Sequence, residues 1–174
     1  MTNTQKVTLT INGKKVSQKV SESLLLSDFL HDILGLSGTK VCCGLGICRV
    51  CTVAIAREQA APLERLRACS TKVLDLDGAF VTTVEGIAKG DQLAPLQEAF
   101  LKNFSFQCGY SAPGFLMSAT VLLDELAKKP IAIADVDKAI MQAVGDHVCR
   151  CSGYVRYHKA IKEVVLATPG LTIG

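Results

Sequence analysis

The chain contains no long apolar run. No stretch approaches the roughly 18 consecutive apolar residues of a transmembrane helix, which excludes a helical membrane span. It also has no block of like charge, and its formal net charge is only +3. Nucleic-acid binding calls for a basic stripe or patch, so neither nucleic acid nor an acidic membrane surface is expected as a partner. The opening residues, Met1 to Gln5, are polar and lack the charged, apolar and small-residue regions of a secretory signal. The expected location is therefore the cytoplasm, with export beside a signal-bearing partner left open. No sequence repeat is visible. No nucleophile–base constellation stands out either: His31, His147 and His158 have no evident catalytic partners, and His31 and His158 are expected on helix surfaces. Substrate chemistry is not expected in this chain.

What is present in excess is cysteine. There are eight in 174 residues, without a secretory signal. In a reducing compartment such a count favours metal binding over disulfides. Nearly half the residues are apolar, so a core can form without disulfide staples.

The hydrophobic pattern changes along the chain. Val7, Leu9 and Ile11 alternate with polar residues as in a half-buried strand. Asn12-Gly13 is a hairpin signal, and Lys14 to Val20 would return. Ser23 is placed to cap a helix with Leu26, Phe29, Leu30 and Ile33 on its apolar face, ended by Gly35. After a cysteine loop come strands over Cys51 to Ala56 and Phe80 to Val84. Beyond Glu85 to Gly90 the period becomes helical, over Leu93 to Phe104, Phe115 to Ala127, Val136 to Val144 and Val155 to Leu166. Asp91 and Asp135 are placed to cap two of these helices, and Pro113 suits the first turn of another. The pattern predicts an α+β chain: a small mixed domain over 1–84, a linker at 85–91 and a helical domain over 92–174.

Cys43, Cys48 and Cys51 are spaced C-x4-C-x2-C, with Cys69 downstream. This is the plant-type [2Fe–2S] pattern. Two sulfide-bridged irons need two thiolates each, and a tight loop must aim backbone N–H groups at the sulfurs. Gly44 and Gly46 allow that close approach. A zinc site would more often show paired C-x2-C knuckles. Cys42 is surplus and reads as a buried or loop thiol. A second group is looser: Cys108 precedes one helix, and Cys149 and Cys151 precede another. Helix N-termini favour thiolates. From spacing alone, a metal site and three core cysteines remain equally open.

Three segments carry a resemblance. Gly38-Thr-Lys-Val-Cys-Cys-Gly-Leu-Gly-Ile-Cys-Arg-Val-Cys-Thr-Val is similar to G-T-K-x-G-C-G-x-G-x-C-G-x-C-T-V. Gln107-Cys-Gly-Tyr-Ser-Ala-Pro-Gly is similar to Q-C-G-[YF]-C-x-P-G. His147-Val-Cys-Arg-Cys-Ser-Gly-Tyr is similar to N-[LI]-C-R-C-[TS]-G-Y. In this order they resemble the iron–sulfur subunit of the xanthine oxidase family of molybdenum hydroxylases. The resemblance implies a β-grasp, plant-ferredoxin-like domain followed by a four-helix bundle, each with one [2Fe–2S] cluster. It implies that Cys43, Cys48, Cys51 and Cys69 hold the first cluster. The second would be held by Cys108, Cys149, Cys151 and the position of Ser111. Gln107 and Cys151 would contact the molybdopterin of a large partner subunit that oxidises an aldehyde or N-heterocycle. Electrons would pass through both clusters to FAD, a cytochrome c subunit or another acceptor.

The chain departs from the motifs at three places. Ser111 stands where the family has a cluster cysteine. Its oxygen could ligate iron, or water or a side chain such as His147 could fill the place, or the second cluster could be absent. Cys42 and Arg49 stand where the first motif has glycine, and Arg49 is expected to raise the first cluster's potential only if it points inward. Two other readings remain: a free-standing ferredoxin with one cluster, and a zinc-stabilised interaction module.

Overall fold

The computed structural model describes residues 4–174. Met1 to Thr2 and Asn3, most of the polar leader, lie outside the described residues.

The chain opens as a hairpin, β1 (Thr4–Ile11) and β2 (Lys14–Ser21). Asn12 and Gly13 turn it with φ of +50° and +78°, the double positive φ of a tight two-residue turn. Val7, Leu9 and Ile11 point to one buried face, as the alternation requires. The helix read after Ser23 is short: α1 (Leu26–Asp28) runs into a π-turn over Phe29–Ile33. Ser23 does not cap it. Leu25 occupies that position, and the Leu26 N–H is satisfied instead by the Thr71 carbonyl at 2.8 Å. Gly35 follows with φ +67°.

After the cysteine loop come β3 (Thr52–Ala56), β4 (Glu64–Arg67) and β5 (Phe80–Thr82). The sheet order is β2-β1-β5-β3-β4, with β1 and β5 parallel and the other pairs antiparallel. The edge strand β4 escapes the sequence pattern because Glu64, Arg65 and Arg67 mask its apolar signal with charge, a common guard on edge strands.

The second half holds α2 (Pro95–Lys102), α3 (Ala112–Lys128), a short β6 (Ile131–Ala132), α4 (Val136–Val144), α5 (Val155–Ala167) and β7 (Thr172–Ile173). Asp91 does not cap α2. The helix starts later, and the Ala94 N–H donates to Gln97 Oε1 at 2.9 Å. Asp135 does occupy the N-cap of α4, without a side-chain cap bond. Pro113 lies in the first turn of α3, which begins three residues before Phe115. Between the halves, Lys89 and Gln92 exchange two backbone hydrogen bonds in a tight connection.

Two cores result. In the first, β1, β3 and β5 pack on Leu26, Phe29 and Leu30. In the second, Phe100, Phe115, Leu122, Ile140, Tyr157 and Ile161 meet between the helices. A third, small cluster joins them: Ala54 of β3 against Met117 and Val121 of α3. Every residue of β3 is buried, because α3 covers the sheet face opposite α1. An apolar run with no alternation is the sequence form of such a strand. Polar links reinforce the join. Arg65 grips Glu125 with two nitrogens at 2.7 and 2.9 Å, and the Leu63 N–H donates to Asp124 at 3.0 Å.

Candidate metal centres

The loop between the π-turn and β3 brings the first four cysteines together with β4's end. His31, half-buried, bonds the Thr39 carbonyl and so ties the π-turn to the loop's entry. Gly44 and Gly46 adopt φ of +66° and +70°. The curl they permit turns amides inward. Leu45 and Cys48 N–H groups donate to Cys43 Sγ at 3.4 and 3.5 Å, and the Gly46 N–H donates to Cys69 Sγ at 3.3 Å. Cys69 N–H donates to Cys51 Sγ at 3.5 Å. Amides aimed at sulfur rather than at carbonyl oxygen are what an anionic sulfur cluster needs.

Protonation follows the same geometry. The Cys48 and Leu45 amides lower the Cys43 thiol to about 6. Burial pushes Cys51 up to about 12 and raises Cys48. Those two thiols would ionise only beside a compensating cation, which iron would supply. All eight cysteines are free, and Cys42 is an exposed loop thiol rather than a buried one. Among the described residues no three His, Cys, Asp or Glu side chains converge on a single-ion site. A two-iron, two-sulfide core divides its ligands two to each iron.

The second group assembles at two helix starts. Cys108 and Ser111 precede α3, and Cys149 and Cys151 precede α5. Cys108 and Cys151 sulfurs lie 3.5 Å apart and both residues are exposed, as is Gln107. Cys149 and Ser111 are buried. Burial works to raise the Cys149 thiol, but hydrogen bonds from Ser111 and Ser152 outweigh it and the net shift is downward. Ser152 Oγ lies 3.1 Å from Cys149 Sγ, and the Cys149 N–H donates to the Tyr154 hydroxyl at 3.1 Å. Cys151 is raised by neighbouring Cys108. The fold thus brings all eight expected positions into two groups of four.

His147 takes no part in the second group's hydrogen bonding. Its Nε2 faces the Gly114 carbonyl and the Ser118 hydroxyl, both at 3.1 Å, and its ring packs on Phe115 at 4.7 Å. Burial lowers its pKa to about 4, so it is a neutral ring fastened to α3. His158 sits 3.6 Å from Asp137, half-buried on α5. Arg49 does not point at the first cysteines' sulfurs for a partner; its guanidinium pairs with Asp146 at 2.7 Å. Its φ is +60°, the left-handed conformation for which glycine is the low-cost residue.

The two groups are joined directly. The Val148 N–H, next to Cys149, donates to the Cys48 carbonyl at 3.0 Å. The Tyr110 hydroxyl donates to the Val41 carbonyl at 2.6 Å. At Gly114, a Cβ would stand 2.7 Å from the Arg49 carbonyl oxygen and 2.8 Å from that of Val50. Helix α3 therefore rests on the backbone of the first loop. Tyr110, Gly114 and Val148 all lie inside the motif segments, but the motifs do not show that they join the two groups. Tyr157, whose hydroxyl lies 3.4 Å from Ser111 Oγ, lies outside the motifs, and its spacing marks it only as a core residue of α5.

Comparison with known proteins agrees with this layout. Residues 83–162 match the family model of a [2Fe-2S] binding domain, and residues 9–74 that of a 2Fe-2S iron-sulfur cluster binding domain. The chain is 37% identical over 158 residues to caffeine dehydrogenase subunit gamma of Pseudomonas sp. (strain CBB1), covering 91% of this chain and 89% of that one. It is 34% identical over 169 residues to the aldehyde oxidoreductase iron-sulfur-binding subunit PaoA of Escherichia coli (strain K12), covering 90% and 70%. Other relatives are much longer: the chain is 36% identical to aldehyde oxidase 2 of Rattus norvegicus but spans 11% of it and 83% of itself. Among solved structures, quinoline 2-oxidoreductase from Pseudomonas putida 86 superposes with a TM-score of 0.79 at 30% identity, covering 97% of this chain and 93% of that one. The chain belongs to the small iron–sulfur subunits of the xanthine oxidase family of molybdenum hydroxylases.

Proposed function

We propose that this chain is the electron relay of a molybdenum-dependent hydroxylase, with Cys43, Cys48, Cys51 and Cys69 holding one [2Fe–2S] cluster and Cys108, Ser111, Cys149 and Cys151 the other. When bound, each cluster supplies a one-electron carrier. The chain's own work is to hold two such carriers close together and at different exposure. One observation carries this reading: the Val148 N–H to Cys48 carbonyl bond, 3.0 Å, links a ligand of one group to the neighbour of a ligand of the other. The path between the groups then runs through covalent bonds and one hydrogen bond, with no gap to cross.

The same reading sets the rest. Residues 1–84 form a β-grasp, ferredoxin-like domain, 85–91 a linker and 92–174 a four-helix bundle. Exposed Gln107 and Cys151 face the molybdopterin of a large subunit. The first group feeds an FAD or cytochrome subunit, or another acceptor. The substrate class is an aldehyde or an N-heterocycle, oxidised in the partner. No helix among the described residues is long and apolar enough to cross a membrane. The proposed setting is the cytoplasm, where reducing conditions spare exposed thiols.

The test is iron and acid-labile sulfide per chain, with electron paramagnetic resonance of the dithionite-reduced complex. Four irons, four sulfides, two signals and a co-purifying molybdenum protein are expected. Two irons and one signal would instead fit a single-cluster ferredoxin, and a colourless protein with zinc would overturn the proposal.

A further inference from the structure

Ser111 is the N-cap residue of the 17-residue helix α3, yet its side chain makes no cap hydrogen bond. Its backbone is already helical, with φ −86° and ψ −13°, and Pro113 leaves the second helical position without an N–H, so the hydroxyl is released from the cap. Here the residue is 5% exposed, and its Oγ faces Cys149 Sγ and the Tyr157 hydroxyl, 3.4 Å away. A buried hydroxyl so released and turned towards Cys149 can serve the second group.

Tyr157 is set with equal firmness. It is 1% exposed. Its ring stacks on Phe115 with centroids 4.1 Å apart and planes 12° from parallel, and Phe100 packs against it at 5.2 Å. Such packing fixes the ring and leaves its hydroxyl no freedom to swing to solvent. Among the described residues, Ser111 is the hydrogen-bond partner of that hydroxyl. A buried phenol O–H needs an acceptor.

We propose that Tyr157 is a positioning residue of the second centre, its phenol O–H donating to Ser111 Oγ and holding that oxygen as the one non-cysteine iron ligand. This rests on the assignment of Ser111 to the ligand set. Were iron held there, Ser111 would ligate it by giving up its hydroxyl proton, the O–H bond being exchanged for an iron–oxygen bond. The proton would pass to water before the large subunit covers the side marked by Cys108 and Cys151, and no electron would be transferred. Such an alkoxide would be a strong, charge-assisted acceptor, able to draw in the phenol that now stands 3.4 Å away. A thiolate there would be larger and a weaker acceptor, so the tyrosine suits oxygen in particular.

The experiment uses the complete complex with Tyr157→Phe, Ser111→Cys and the double variant. It reads iron, labile sulfide and the midpoint potential of the second cluster. Tyr157→Phe keeps the stacked ring and should leave four irons and four sulfides in place. It should make the second cluster harder to reduce by about tenfold in the reduction equilibrium, about 59 mV for one electron. In the Ser111→Cys background the same change should move the potential by less than a third as much. A four-iron protein whose potential ignores Tyr157→Phe, or shifts equally in both backgrounds, overturns the inference alone. A Ser111→Cys variant with unchanged spectrum and potential, or a chain holding only two irons, removes the ligand assignment and the inference together.

Discussion

The two cysteine groups solve the same problem with different materials. In the first, Cys48, Cys51 and Cys69 are buried and the sulfurs receive backbone amides from a glycine-curled loop. In the second, Cys108 and Cys151 are exposed, and the buried Cys149 adds the Ser152 hydroxyl, 3.1 Å away, to the backbone amides of Cys151 and Ser152. Backbone donors are fixed by the loop's path, and side-chain substitutions barely alter them. Hydroxyl donors change with one substitution. The first centre is thus set by the fold, whereas the second is tuned residue by residue and completed by whatever covers its open side. Changes at the first should be all-or-none, and changes at the second graded.

The comparison breaks most sharply at Cys51. It is 1% exposed in the first core, and on the proposed assignment Cys51→Ala removes one of the first cluster's four ligands. The variant should lose the first cluster's two irons and one of the two paramagnetic signals. The second signal should persist, measured in the same reduced sample. Next in size is Gly114→Ala. Its Cβ would meet the Arg49 and Val50 carbonyl oxygens at 2.7 and 2.8 Å, backbone atoms that can yield only by moving α3 off the first loop. Overpacking of this kind costs about 1–3 kcal/mol, which urea unfolding would read. The inter-group hydrogen bond at Val148 should loosen with it, so electron exchange between the centres should slow while iron content holds.

A smaller effect is expected at Arg65. Its two-nitrogen grip on Glu125 and its 3.3 Å contact from Nε to the Ser118 carbonyl tie β4 to α3. Arg65 is 23% exposed and Glu125 46%, so solvent screens the pair. Arg65→Ala should cost about 1 kcal/mol, with both clusters retained. A loss of several kcal/mol would mean that the two halves depend on this contact more than on the apolar join at Met117 and Val121.

How much of this was legible in the sequence follows from what kind of force sets each part. The hairpin, the fully buried β3 and the helices from α3 to α5 follow from the hydrophobic pattern, since burial of one face or both is written in residue spacing. The proposed cluster positions were read from cysteine spacing and from the three motifs. The edge strand β4 was hidden by its charges. Ser23 and Asp91 misled because a cap can be supplied by a distant carbonyl at Thr71 or by a side chain inside the helix, Gln97. The links between the groups were not legible as contacts, although Tyr110, Gly114 and Val148 lie inside the motifs. A backbone bond from Val148 to Cys48 involves no side chain, and Tyr157 joins Ser111 across 46 residues through one hydroxyl on an otherwise ordinary core ring.

Arg49 gives the finest comparison, because it belongs to the first loop by sequence and reaches the second half by its side chain. Its positive φ costs an L-residue about 1–2 kcal/mol relative to ordinary backbone. Its ion pair with Asp146, a residue 72% exposed, returns about 0–1 kcal/mol. Arg49→Gly removes both terms and adds chain entropy to the unfolded state, so stability should change by no more than about 1 kcal/mol. The electrical consequence separates two roles for the charge. With its guanidinium 2.7 Å from a carboxylate, Arg49 is locally neutralised, and the first cluster's midpoint potential should stay in place in Arg49→Gly. Asp146→Asn sharpens the point, since it frees the guanidinium without touching the loop. A rise in potential there, with none lost in Arg49→Gly, would show that Asp146 holds the charge away from the first centre; a fall in Arg49→Gly would show that the guanidinium acts on the cluster despite its partner.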